Sequence, residues 1–395
     1  MRPLRVGIAG AGIAGLTTAL ALAHRGIGST VFERAAKLSE VGAGLQVSPN
    51  AGRILEGLGL TAALDRAAVL PEAIDMRSGR TGEPIVTLPL GERARAAYGA
   101  PYRLVHRADL QALLLEAVDA DPRITLKLGA EVTGSRQSAE AATLVVDGAA
   151  HEFDCLVAGD GVRSTLRSAV PGAAPFKPSG RTAWRTTIPI GIAPRDLPHQ
   201  RTTVLLNRAA HVVIYPVRGG RLINVIVVIE EDWDGPEWSA PGDAAVLRRR
   251  FDADSTRFVS RFTGLDLQWT RWCLTEVDPR GSWVDGRIAL IGDAAHAMVP
   301  FLAQGAAMAI EDADALATVI ATAGNSVPEA LRRYEAIRRP RATRVWKTAR
   351  QAGQIYHLGG PMAVARDMTM TALGGASLLK RYDWIYGWQP GQDAA

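Results

Sequence analysis

Three glycines spaced as Gly10-x-Gly12-x-x-Gly15 directly follow an apolar run and open a helical stretch. That arrangement suits a pyrophosphate. Gly10 permits a tight turn, Gly12 lets the backbone approach the phosphates, and Gly15 lets helix and strand pack closely. The helix start then offers unpaired N–H groups and the positive end of its dipole. Glu33 comes eighteen positions after Gly15, where a carboxylate can accept hydrogen bonds from an adenosine ribose. Arg34 follows it and belongs to the same candidate cofactor-binding set. Strand, helix, strand and acid together make this signal strong, whereas the glycines alone are weak. Two later segments carry acids at the ends of apolar runs: Gly159-Asp160-Gly161, ahead of Arg163 and Ser164, and Ile291-Gly292-Asp293-Ala294-Ala295-His296. Open α/β sheets bind ligands at the carboxyl ends of their strands, which makes Asp160 and Asp293 cofactor candidates. Both are also good helix N-caps, and the two roles are compatible.

The elements that must position these residues follow from the periodicity. A strand over 4–8, a helix over 13–25 and a strand over 29–33 open a parallel sheet. A helix over 50–58 closes near Gly59, another spans 108–118 with Asp109 near its start, and 124–128 is a strand. Residues 142–146 and 152–157 read as paired strands about the turn Asp147-Gly148. Between Trp184 and Cys273, β-branched runs at 202–206, 212–217 and 222–229 predict an antiparallel sheet of a separate unit, with a helix over 244–251. The α/β pattern returns at 287–291 and leads into a long helix from Gly305 to Thr322; from Pro328 onward the chain is mostly helical. The expected fold class is α/β, a Rossmann-type nucleotide-binding domain with an inserted β-sheet domain and a helical C-terminal tail. The expected division is 1–75, 101–175 and 283–330 for the nucleotide unit, 76–100 and 176–282 for the sheet unit that meets substrate, and 331–395 for the helical region.

Composition narrows the function classes. Among 395 residues, 47% are hydrophobic and 22% charged, so a disordered or fibrous chain is excluded. Cys155 and Cys273 stand far apart, outside any CxxC pattern, which predicts neither a disulfide framework nor a zinc site and suits a reducing cytoplasm. The seven histidines show no HxxxH or HxH spacing, so no catalytic metal is expected. A formal charge of +5 favours anionic ligands or is simply a slightly basic surface. The basic run from Arg332 to Arg350 reads as a solvated helix face interrupted at Pro340, and no aromatic-rich nucleic-acid motif accompanies it. The apolar stretch 4–23 is broken by glycines and lacks a polar cleavage region, so no signal peptide or membrane partner is expected.

The fingerprint, the Gly-Asp-Gly segment and the Gly-Asp segment, in this order, resemble the flavoprotein aromatic hydroxylases related to salicylate, 3-hydroxybenzoate and 6-hydroxynicotinate hydroxylases, the class A monooxygenases. The likeness spans nearly the whole chain. It takes in His106-Arg107-Ala108-Asp109-Leu110, Pro300-Phe301-Leu302-Ala303-Gln304-Gly305-Ala306, Ile310-Glu311-Asp312-Ala313 and the tail Tyr382-Asp383-Trp384-Ile385-Tyr386-Gly387-Trp388. The resemblance implies FAD as cofactor, with Gly10, Gly12, Gly15 and Glu33 on its ADP half. It implies Arg107 near the pyrophosphate or ribityl chain, Asp160 in a segment linked to FAD and the nicotinamide donor, and Asp293 on the ribityl or phosphate region. Pro300 would lie beside the flavin ring. The backbone at Gly305 and Ala306 would present N–H groups to the N1–C2 edge, where the positive end of a helix suits the charge of reduced flavin. Arg107 has a plainer alternative, an ion pair with Asp109 or another carboxylate.

By the same resemblance NADH or NADPH reduces FAD, and O2 adds at C4a to give a hydroperoxide that hydroxylates a small aromatic substrate. A phenol reacts faster as its phenolate, so a base or proton relay is useful, and water must be kept out. His211 and Tyr215, four apart on one face of a strand, are the candidates for base or substrate contact, as in 6-hydroxynicotinate hydroxylases; a packed or hydrogen-bonded sheet histidine is the alternative. Segment 42–50 departs from that relative, with Gln46 where it would show His; Gln46 meets a substrate oxygen or solvent. Arg185 meets a substrate carboxylate, braces the cofactor or makes a surface pair. His296 touches substrate or flavin, or makes a structural bond in its turn. A halogenase is disfavoured, since Trp184-Arg-Thr-Thr-Ile-Pro189 lacks the second tryptophan of WxWxIP. A flavin dehydrogenase without oxygen insertion and a non-catalytic flavin-binding protein are the rivals, and a monomer or homodimer is expected.

Overall fold

The apolar run after the N-terminus forms the strand Arg5–Ala9, which lies inside a six-stranded sheet. The computed structural model describes residues 4–38, 43–194, 199–235, 237–252, 263–323 and 326–392; Gly42, part of the segment around Gln46, lies outside them. To one side of Arg5–Ala9 come Gly28–Glu33 and Ile124–Leu128, to the other Cys155–Ala158, Ile288–Leu290 and the short Val284–Asp285. All these pairings are parallel except the last. Val6, Ile8, Val31, Leu156, Val157 and Leu290 are almost fully buried, as strands covered on both faces require. The helix Ile13–His24 is apolar nearly all round because it is wedged between this sheet and the helix Gly305–Ala321.

The strand expected over 152–157 is two strands. Ala149–Phe153 pairs with Ala142–Val146, and Cys155–Ala158 joins the parallel sheet. Asp154 makes the switch: its carboxylate accepts from the Arg5 amide at 2.8 Å while its own amide donates to the Arg5 carbonyl at 2.9 Å. Those bonds end one ladder and start the next. The sheet unit holds eight strands, in the order Ser239–Gly242, Trp269–Val277, Phe176–Pro189, Leu222–Glu230, Ala210–Val217, Arg201–Asn207, Ala73–Ser78, Pro84–Pro89. It is mixed rather than wholly antiparallel, because Arg201–Asn207 runs parallel to Ala73–Ser78.

The basic run is neither interrupted nor wholly solvated. One helix, Val327–Tyr356, continues through Pro340. Arg338 is buried 2.7 Å from Glu311 and 2.8 Å from Asp312, and Arg341 grips Glu311 through two nitrogens at 2.7 Å each. A proline inside a helix costs about 3 kcal/mol. Here the ion pairs lie on both sides of it, and Leu331, Tyr334, Ala342 and Val345 pack on the core. Among the described residues no helix is long and apolar enough to cross a membrane.

Candidate active site

Two glycines of the fingerprint have a steric reason in the fold itself. Gly10 has φ +92°, and a Cβ there would lie 2.6 Å from the Gly159 carbonyl. A Cβ on Gly15 would collide with the carbonyl of Gly10, whereas one on Gly12 would meet nothing and stand in open space. The turn is held by the Gly10 amide donating to Phe32 at 2.8 Å, and by Glu33, whose carboxylate accepts from the amides of Ala11 at 2.9 Å and Ala35 at 3.0 Å. Gly10, Gly12, Glu33, Arg34, Asp160 and Arg163 surround one cleft of about 250 Å³. One oxygen of Asp160 caps the amides of Thr165 at 2.8 Å and Leu166 at 3.4 Å. Its other oxygen is buried with no partner, and burial pushes the carboxyl above its usual range. An orphaned oxygen beside a bare glycine face fits the hydroxyl- and phosphate-bearing half of a dinucleotide.

A second cavity of about 220 Å³ lies at the same, N-terminal end of the fingerprint helix, which contributes its first residue, Ile13. Arg107, Asp293, Pro300, Gly305 and Ala306 line it. Arg107 opens the helix Arg107–Asp119, whose Asp109 pairs with Arg218 at 3.1 Å. Asp293 opens the short helix Asp293–His296, and buried Arg167 clamps that turn by donating to the Ala294 carbonyl at 2.9 Å and the Asp293 carbonyl at 3.4 Å. Pro300–Leu302 form a tight turn, Ala303 takes φ +52°, and Gln304 directly precedes the helix Gly305–Ala321. Gln304 is buried, donating to Ser48 at 2.9 Å and accepting from Asn50 at 3.1 Å, while Asn50 donates to Glu311 at 2.7 Å. The loop and the N–H groups that open this helix are therefore held in place before any ligand arrives. An anionic edge laid here meets the positive helix end.

The sheet supplies the opposite wall. His211 and Tyr215 both face this cavity from the strand Ala210–Val217, and Arg185 and Gln46 join them. A further, mainly apolar chamber of about 160 Å³ abuts it, sharing Gln46, His211, Val213, Pro300 and Ala303. Gln46 accepts a hydrogen bond from the Tyr102 hydroxyl and so is turned inward rather than to solvent. Arg185 lies over the Trp272 ring, 5.5 Å from its centroid. Tyr215 is 1% exposed, and burial raises its pKa while Arg185 opposes the rise. A Cβ on Gly44 would lie 2.5 Å from the Tyr215 ring, so the backbone at Gly44 is packed directly on it.

His211 is held neutral: burial, then His357 and Arg181, lower its pKa well below the ordinary histidine value. Its Nδ1 lies 2.8 Å from Nε2 of His357, whose own Nδ1 lies 2.9 Å from a Glu230 oxygen. His296 is not in either cavity; it bonds Asp312 at 2.5 Å beside the Trp283 ring. That bond is structural, but it reaches the helix Gly305–Ala321 and does not close the turn of His296. Sequence reasoning did not single out Arg167, His357 or Glu230, whose partners lie 127, 146 and 127 positions away. No local pattern marks them.

Comparison with known proteins decides among the nucleotides. A family model described as an FAD binding domain matches residues 4–349. The chain belongs to that family. Within it the chain falls among the flavin-dependent aromatic hydroxylases. It is 38% identical to a 3-amino-4-hydroxybenzoate 2-monooxygenase of Streptomyces platensis over 391 residues, covering 98% of this chain and 96% of that protein. It is 35% identical to a 3-hydroxybenzoate 6-hydroxylase of Aquipseudomonas alcaligenes over 382 residues, covering 96% of each. A solved salicylate hydroxylase substrate complex superposes with a TM-score of 0.83 at 28% identity, covering 99% of this chain and 97% of the other. The residues around both clefts fit FAD, and the enzyme is a flavoprotein.

Proposed function

We propose that this flavin-dependent hydroxylase acts on a small phenolic or hydroxypyridine ring, in the favoured case carrying a carboxylate, with O2 and either NADH or NADPH. The observation that carries the reading is the composition of the second cavity. A neutral buried histidine, a tyrosine and an arginine face Pro300 and a helix N-terminus across it. Gly10, Gly12, Gly15, Glu33, Arg34 and Asp160 would hold the ADP half of FAD, and Arg107 and Asp293 the ribityl and phosphate region. Pro300, Gly305 and Ala306 would hold the ring edge. When bound, FAD supplies the electron relay and the activation of oxygen.

The chain's own residues do the rest. His211 accepts the phenol proton through Nε2, because its Nδ1 is already engaged with His357. Tyr215 stays protonated at neutral pH and orients the same oxygen as a donor. Arg185 draws a substrate carboxylate to the sheet side of the cavity, and Gln46, already bonded to Tyr102, fixes the ring's position. The apolar second chamber and the Phe301 turn keep water from the reacting face. The division into an FAD unit (1–75, 101–175, 283–330), a substrate sheet (76–100, 176–282) and a helical tail belongs to the same proposal. So does a monomer or homodimer working in the cytoplasm, where two buried, unpaired cysteines are at ease.

The test uses FAD-loaded enzyme and a panel of hydroxybenzoates and hydroxypyridines. At least one should stimulate NADH or NADPH oxidation and leave a hydroxylated product. His211→Ala should slow hydroxylation by about 10²–10⁴ while flavin reduction changes little. Stimulated oxidation with no oxygenated product from any member would refute the proposal.

A further inference from the structure

We infer that His211 does not act alone: it exchanges its proton with solvent through a wire of side chains, His357 and then Glu230, that runs along one face of the sheet. The inference rests on the hydroxylase reading above and deepens it. His211 and His357 are buried, with His211 2% and His357 7% exposed, so neither can pass a proton directly to bulk water. The Glu230 side chain is 40% exposed and forms the solvent end.

The hydrogen-bond chain also selects the tautomers. A Glu230 carboxylate can only accept, so the His357 Nδ1 at 2.9 Å carries the proton. In neutral His357 that leaves Nε2 as an acceptor, so His211 Nδ1 donates to it across 2.8 Å. His211 Nε2 is then the bare nitrogen. The carboxylate at the surface thereby sets the basic atom in the cavity, two residues away. The hydrogen bond made by one ring nitrogen of a histidine generally decides which nitrogen carries the proton.

The transfers balance. The phenol O–H bond breaks and its proton joins His211 Nε2. The Nδ1 proton of His211 passes to His357 Nε2, and the Nδ1 proton of His357 passes to a Glu230 oxygen and on to water. The same steps in reverse return a proton to the product oxygen and restore each tautomer. No redox partner is required. Among the described residues, the charged groups that act on the two histidines besides Glu230 are arginines. Arg181, from the strand Phe176–Pro189, pairs with Glu230 at 3.3 Å and faces both histidines; Arg250, from the helix Ala244–Asp252, faces His357. These arginines favour neutral histidines and an ionised Glu230, the resting state the wire needs. Phe301 and Tyr356 pack their rings against His211, 5.0 and 5.6 Å between centroids, and hold its orientation. His357 is anchored as well, its carbonyl accepting from the Ala209 amide at 3.0 Å.

His357 and Glu230 are thus positioning residues that act through His211. The experiment uses FAD-loaded enzyme and 3-hydroxy-4-nitrobenzoate, whose absorbance reports whether the phenol is ionised. Rapid mixing gives the rate of ionisation in the site, and titration gives affinity. His357→Gln and Glu230→Gln should each slow ionisation by about tenfold or more, with affinity and FAD content little changed. Formate should restore much of the rate to Glu230→Ala, since that position opens to solvent. A merely structural role would change affinity or FAD content and would not respond to formate. Ionisation as fast in both Gln variants as in the parent enzyme overturns the wire and leaves the hydroxylase reading standing. A parent enzyme that shows no ionisation, and in which no phenol stimulates NADH or NADPH oxidation, overturns the reading and the wire together.

Discussion

The packing of Gly44 on Tyr215 gives the sharpest test of how the substrate wall is built. In Gly44→Ala the new methyl would stand 2.5 Å from the Tyr215 ring, 2.9 Å from its hydroxyl and 2.9 Å from Val217. Ordinary carbon contacts begin near 3.5 Å, so the ring must retreat by about 1 Å. Tyr215 is 1% exposed and Val217 fully buried, so the ring can retreat only into the substrate cavity it lines. Overpacking of this kind costs about 1–3 kcal/mol. A displacement of about 1 Å at a positioning group costs about 10²-fold in turnover. Urea unfolding should show the stability loss, and product formation per NADH or NADPH consumed should show the functional one. A Tyr215→Ala background opens space for the methyl, so the Gly44→Ala penalty on stability should largely vanish there. If Gly44→Ala costs the same in both backgrounds, the ring is not what the backbone leans on and the reasoning fails.

Other expectations follow from the same geometry. His211 must be neutral to accept a proton, and burial lowers its pKa, so activity is present above that lowered value and lost as pH falls through it. The acid limb of kcat/KM should therefore lie below pH 6.5, and a limb centred at or above 6.5 would contradict the burial argument. Arg338→Met leaves Glu311 and Asp312 buried with one cation fewer and should cost about 3–5 kcal/mol in urea unfolding; a loss under about 1 kcal/mol would show that the network is not a stabilising unit. Asp312, whose pKa is held down to about 2 by His296 and Arg338 against the effect of burial, contributes stability above its unfolded pKa that is lost as pH falls from about 4 toward 2. Gly15→Ala drives a methyl into the Gly10 carbonyl and should yield protein that purifies without its yellow cofactor; retention of FAD at parental affinity would refute the steric role.

The cofactor half of the site was legible because its signals are local. Gly10 makes a tight turn at φ +92° and Gly15 leaves no room for a side chain against Gly10, as the spacing suggested, and Glu33 ends its strand beside the turn. The strand bearing His211 and Tyr215 was also visible from its β-branched run, and both side chains do face one cavity. What was hidden depends on distant partners. The basic run reads as solvated until Glu311 and Asp312 are brought against Arg338 and Arg341 by the neighbouring helix. Asp154 looks like part of a strand until Arg5 occupies its carboxylate. The strand Ala73–Ser78 carries polar residues at alternate positions and no β-branched run beyond Ile74, so its parallel pairing with Arg201–Asn207 left no mark in composition. His357 gains its meaning only from the far strand that carries His211.

The strand Ile288–Leu290, which lies against Cys155–Ala158 in the nucleotide-binding sheet, leaves the ribosome long after Arg5–Ala9. At ordinary synthesis speeds of about 5–20 residues per second the interval is about 15–60 s. For that time the nascent chain carries its fingerprint glycines without the Asp293 turn or the Gly305 helix that complete the far cleft. Flavin capture is therefore a late event in biogenesis, and fragments ending before that strand should be colourless and prone to aggregate, however intact their first hundred residues.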